Sequence, residues 1–151
     1  MSKLNKQESK KLKEAVELQR RDFDQEAMII LEELEKENPD NSKILGLLGL
    51  VLAKGEKYKE AVPYLKEAIK SNLKNETLSL SLYISYVELG KHKKAFNILF
   101  KFLENHPANL FKDTLEELIE GLRQGFGENY RDEILKNAWK NHVEIPDELL
   151  D

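Results

Sequence analysis

No cysteine occurs among the 151 residues, which excludes a disulfide framework, a thiol nucleophile and a thiolate metal site. Proline and glycine are scarce, at four and seven, so the chain is neither collagen-like nor of low complexity. Long hydrophobic runs are missing as well. The longest, Ile44 to Ala53, has ten residues, about half of the ~20 that a membrane-spanning helix needs. The polar start Met1-Ser2-Lys3-Leu4-Asn5-Lys6 is not followed by an apolar leader segment, and a cytoplasmic location with no membrane partner is expected. Charge of one sign is absent too: 24 basic and 28 acidic side chains leave a net −4, which is not the signature of a nucleic-acid binder.

What remains is a chain with 34% charged and 40% hydrophobic residues. That balance suits one helix-rich domain, large enough to bury a core without staples. The charge is arranged in blocks. Residues 1–21 carry a net +4, residues 22–40 a net −7, residues 41–75 a net +4, residues 76–109 a net +1 and residues 110–151 a net −6. The basic N-terminus reads as the wet face of a first helix. No aromatic residue interleaves with its lysines, as a single-strand stacking platform would require.

Sliding the chain against itself by 34 residues brings out an internal repeat. Gly55-Glu56-Lys57-Tyr58-Lys59-Glu60-Ala61 falls on Leu89-Gly90-Lys91-His92-Lys93-Lys94-Ala95, and Leu48, Leu52 and Leu65 fall on Leu82, Tyr86 and Leu99. Backwards, Ala61 and Leu65 fall on Ala27 and Leu31, and Pro39 and Pro107 lie two shifts apart. The spacing predicts two helices per unit: about 8–21 and 23–37, about 43–54 and 58–71, and about 76–89 and 92–104. Asn41 or Ser42 can cap the third helix and Gly55 can close it. Pro63 falls in the first turns of the fourth, where little hydrogen bonding is lost.

These residues resemble the tetratricopeptide repeat (TPR) family. Leu48-Gly49 with Leu52, then Gly55, Tyr58, Ala61, Leu65 and Ala68, match its pattern closely. The third unit keeps Leu82, Tyr86, Gly90, Ala95, Leu99 and Pro107 but has Tyr83 where the family wants a small residue. Helix packing there must be looser or shifted. The first unit keeps Ala15, Leu18, Ala27, Leu31, Leu34 and Pro39 but has Glu14 where a leucine is expected. The resemblance spans residues 8–109 and implies an all-α, right-handed solenoid of antiparallel helix pairs. Repeats are expected at about 8–41, 42–75 and 76–109 within one domain. Residues 110–142 read as a divergent C-terminal helical pair, with helices near 110–123 and 130–142, and residues 143–151 as a tail.

Little in the sequence points to catalysis. His92, His106 and His142 lie far apart, with no further ligand at metal spacing, so no metal site is expected. Gly125-Phe126-Gly127 lacks the lysine and preceding strand of a phosphate cradle, so no cofactor site is expected either. Glu32-Glu33 and Glu116-Glu117 are neighbours on helices and do not converge as an acid–base pair would. The expectation is a protein that is not an enzyme.

The apolar run Ile44 to Ala53 has almost no polar stripe, unlike a helix that buries one side only. In the resembling family the first helix of each unit lines a concave wall. Carried onto this chain, that wall takes Leu47 and Leu50 from the middle unit, Leu80, Ile84 and Val87 from the third, and Leu12 and Val16 from the first. Lys13, Arg20, Lys43, Lys54 and Glu88 would form its charged rim. The floor is either a binding groove for another protein or is filled by the chain's own C-terminal helices. The five positions at which one TPR subtype clamps a chaperone's terminal carboxylate hold Leu12, Val16, Leu47, Thr77 and Ser81. None can bind a carboxylate strongly, and the groove suits an apolar helical or extended segment instead. The expected function is an interaction scaffold, with homodimerisation through the same surface as the alternative. Trp139 is expected to cover the last core layer or else to anchor an interface. Ile145, Leu149 and Leu150 of the tail are candidates to occupy the groove as a pseudo-ligand.

Overall fold

Three of the helices start at an asparagine that takes up backbone donors left open at a helix N-terminus. In the computed structural model, which describes residues 3–150, α1 (Lys6–Arg20) opens with a reciprocal cap. The Asn5 side chain accepts the Glu8 N–H at 2.8 Å, and the Glu8 carboxylate accepts the Asn5 N–H at 3.0 Å. That backbone bond, seconded by the Asn38 side-chain amide, holds the Glu8 carboxyl below its usual range. Asn41 caps α3 (Ser42–Lys54) and Asn75 caps α5 (Glu76–Glu88) through their side-chain oxygens. The partners are α2 (Asp24–Glu37), α4 (Tyr58–Lys70) and α6 (His92–Asn105).

The 34-residue period recurs in the backbone. Asp22, Glu56 and Gly90 all take positive φ, at 66°, 62° and 74°, each in the turn between the two helices of a pair. Only the last is a glycine; the other two hold a left-handed conformation that costs an L-residue about 1 kcal/mol. Gly55 does end α3, but with φ −82°, so the left-handed position belongs to Glu56.

Successive helices pack on one another from α1 to α6, and α3 also touches α1 and α5, so the first helices of the three pairs form one wall. The interior runs as three linked clusters. Leu12, Leu31, Ile44 and Leu48 sit in the first, Leu45, Leu65, Ala68 and Leu82 in the second. The third joins Leu99 and Leu103 of α6 to a C-terminal pair, α7 (Phe111–Arg123) and α8 (Arg131–Lys140). A single 3-10 turn at Glu128–Tyr130 precedes α8, which is therefore shorter at both ends than the 130–142 span expected. Among the described residues there is no strand, and no helix is long and apolar enough to cross a membrane. The molecule is an all-α solenoid of helix pairs.

The C-terminal pair is joined differently from the others. No side chain of its own caps α7. Glu76, at the start of α5, supplies the missing acceptor: its carboxylate takes the N–H groups of Asn109 at 2.8 Å and Phe111 at 2.9 Å. Nearby, Asn141 accepts the Ala108 N–H at 2.8 Å, and Lys140 donates to the Leu103 carbonyl at 2.7 Å.

Candidate partner-binding site

The wall of first helices carries apolar side chains that the core uses only in part. Leu47 packs on the first cluster and Leu50 on the second, each with one side left outward. Leu12 of α1 is buried at 8% exposure, while Val16, one turn on, is 40% exposed. Leu47 and Leu50 of α3 are half-buried. These four line one open trough. Its larger part, about 780 Å³, lies between Leu4, Leu12 and Val16 on one side and Ser42 and Lys43 on the other. The adjoining part, about 250 Å³, shares Leu12, Val16, Ser42 and Lys43 and continues to Leu47, Leu50 and Leu78.

The other floor residues expected from the sequence are placed elsewhere. Leu80 is half-buried and packs into the C-terminal cluster, beside Tyr83. Val87 leans on the middle cluster. Ile84 is 41% exposed and lines neither part of the trough. The chain's own C-terminal pair thus takes up Leu80 of the third unit, and the trough of the first two units stays open.

The rim divides in the same way. Lys13 and Lys43 are exposed beside the trough, joined by Lys3. Lys54 turns away to Asp22 and Asp24, at 2.5 and 3.3 Å, tying the end of α3 to the α1–α2 turn. The hydrogen bond to Asp22 is the main reason that its ammonium pKa is raised. Arg20 pairs with Glu17 at 3.2 Å. Glu88 is exposed near Tyr58, whose hydroxyl pKa is raised first by burial and then by the Glu88 and Glu56 charges.

Two expectations need correction. Trp139 does not cover a core layer: it is 77% exposed on α8, while Ile134 and Ala138 take the buried side. Nor does the tail lie in the groove. It folds back on α7 and α8 in a 3-10 turn at Asp147–Leu149, with Leu149 buried in the C-terminal cluster. Arg123 binds the Glu148 carboxylate at 2.6 Å, and Arg131 donates to the Leu149 carbonyl at 2.9 Å. One contributor escaped the sequence reading. Leu4, taken as part of a polar lead, packs on the first cluster and forms one wall of the trough. The signal was there in Asn5-Lys6-Gln7-Glu8, whose capping-box spacing starts a helix at Lys6 and so fixes the residue before it.

His106 lies against the Phe102 ring, centroids 5.0 Å apart. Among the described residues no three His, Asp or Glu side chains converge as a metal cage. Along the trough the polar lining is lysine, serine and asparagine with one glutamate, set around an apolar floor.

The profile of the family described as "Psidin, N-terminal TPR repeats region" matches residues 1–112. None of the curated proteins matches the chain. Among solved structures, a single-substitution mutant of MamA aligns at 22% identity and TM-score 0.70, over 89% of this chain and 76% of its own. MamA of AMB-1 aligns at 22% identity and TM-score 0.70, over 93% of this chain and 75% of its own. MamA of MSR-1 gives 22% and 0.66, over 85% and 72%. At that identity the likeness is one of fold.

Proposed function

Because the chain belongs to the TPR family of the Psidin N-terminal repeat region, we propose that its trough receives an apolar helical or extended segment of another protein. TPR repeats build protein-interaction scaffolds, and the observation that supports this trough as the contact is its floor. Leu12, Val16, Leu47 and Leu50 stand around an open space that no described residue fills. The role is that of an adaptor without catalysis: the helix pairs hold the wall rigid, and the wall presents the floor. Lys13 and Lys43, exposed beside the trough, set the orientation and encounter rate of the bound segment and select its charge. Lys54 and Arg20 hold the scaffold together, since both already have carboxylate partners. Ile84 and Val87 extend the contact along α5 when the bound segment is long.

The test is affinity capture from cell extract with the native chain beside a Leu47→Asp, Leu50→Asp, Ile84→Asp variant whose helicity is first shown to be intact. Partners retained by the native chain and lost from the variant are the expected result. The same partners on both would place the contact elsewhere. Light scattering over a range of concentrations, run on the same pair, separates a homodimer from a foreign partner. A concentration-dependent mass that the variant loses assigns the surface to self-association.

A further inference from the structure

The charge around the trough is one-sided in a way that the sequence blocks alone do not reveal. Its lining carries Lys3, Lys13 and Lys43 against one carboxylate, Glu17, and that carboxylate is tied to Arg20. The block of residues 22–40, net −7, does not reach it: no residue of α2 lines either part. The trough also receives the N-terminal ends of two 13-residue helices, through Ser42 and Lys43 of α3 and through Asn75, the cap of α5. Helix N-termini favour anions, adding to the lysines in sign. The floor beside these charges is made of Leu4, Leu12 and Val16, and it continues to Leu47 and Leu50 in the adjoining part, which Lys43 also lines.

An apolar floor inside a ring of cations selects for a ligand of the complementary pattern. We propose that the occupant is an acidic amphipathic helix, with its apolar stripe on Leu12, Val16, Leu47 and Leu50 and its carboxylates against Lys3, Lys13 and Lys43. The inference rests on the groove reading above and adds the chemistry of the partner. A single terminal carboxylate does not meet this description, because it leaves the apolar floor uncovered. A basic amphipathic helix meets the floor equally well and is repelled by the rim.

Two labelled peptides of roughly 18 residues, long enough for five helical turns, serve as probes. Both carry leucine at three-four spacing; one has glutamate and the other lysine at the remaining charged positions. They are titrated by fluorescence anisotropy against the full chain, against Lys13→Glu with Lys43→Glu, and against Leu47→Asp with Leu50→Asp. Circular dichroism confirms that each variant is folded. The expected result is a preference of about tenfold or more for the glutamate peptide, shrinking as salt rises and reversing in the lysine variant. Equal binding of both peptides, lost only in the leucine variant, overturns the charge proposal and leaves the groove intact. A glutamate preference that survives Lys13→Glu with Lys43→Glu overturns it too, since the charge would then act elsewhere. No binding of either peptide to the native chain overturns both readings. Phosphatidylserine vesicles form a last arm: retention that needs the lysines but not the leucines replaces the helix by a lipid surface.

Discussion

Between α3 and α4 the helices meet through a glycine, whereas around α5, α6 and α7 they meet through aromatic rings. A Cβ on Gly49 would lie 2.7 Å from two side-chain carbons of Leu65 and 3.2 Å from its backbone nitrogen, so no other residue allows this approach. One repeat later, Tyr83 occupies the equivalent position. Its ring stands edge-on to Phe96 and to Phe111, with centroids 6.4 and 6.1 Å apart, and Phe96 stacks on Tyr130 at 4.1 Å. The α5–α6 pair is correspondingly less closely packed than α3–α4. The consequence reaches the surface. Close approach in the middle pair goes with a core of leucines and alanines, and Leu47 and Leu50 line the trough. The wider aromatic region recruits Leu80 to fill its own interior. The two halves thus differ both in the residue at this repeat position and in the cluster on which their wall leucines pack.

Removing a ring from the aromatic half should do most damage. Phe111 is fully buried at the meeting of α5, α6 and α7, and Phe111→Ala should cost about 3–5 kcal/mol by urea unfolding. A loss below about 1 kcal/mol would mean that the C-terminal pair collapses onto the gap. The glycine half should break less severely. Gly49→Val should cost about 1–3 kcal/mol as α4 is pushed away. By contrast, Gly46→Ala meets only side chains of Leu78 and Ala68 at 3.4 Å or more, and helix propensity favours alanine by about 1 kcal/mol. Equal effects at the two glycines would erase the distinction between close approach and ordinary contact. The smallest effect is a pH slope. Burial, and secondarily Glu117, pushes the Tyr83 hydroxyl from 10.0 up to about 12. Its protonated form is therefore favoured in the folded state. That contribution is complete below pH 10 and is lost as pH rises from 10 towards 12. Tyr83→Phe should flatten this loss in thermal melts and remove the last tyrosine to ionise by ultraviolet titration.

The helix pairs were legible because their period is written in residues with a single structural use: small residues at close contacts, a cap at Asn41 or Ser42, apolar positions at three-four spacing. That Leu12, Val16, Leu47 and Leu50 share a wall was implied by the resemblance to the TPR family, whose first helices line one surface, and the four stand around one trough. The diversion of Leu80 was not, because it depends on how a non-repeating pair docks, and Glu76 reaches 33 residues ahead to direct it. Trp139 misled by one position. It follows Ala138, which is buried, and one residue is about 100° around a helix. The left-handed turns at Asp22 and Glu56 were invisible too, since neither residue advertises that conformation.

Glu76 also has a bearing on how the molecule comes apart. In a stack of repeats each unit is stabilised mainly by the interface with its neighbour, and unfolding proceeds along the array like a chain of coupled spins. Most links in such a chain are broad, spread over many methyl contacts. The link to the C-terminal pair has in addition one carboxylate bridging two peptide groups. Losing that one side chain, as in Glu76→Ala, leaves both peptide groups without their acceptor and should loosen the last pair from the array before the remaining interfaces yield.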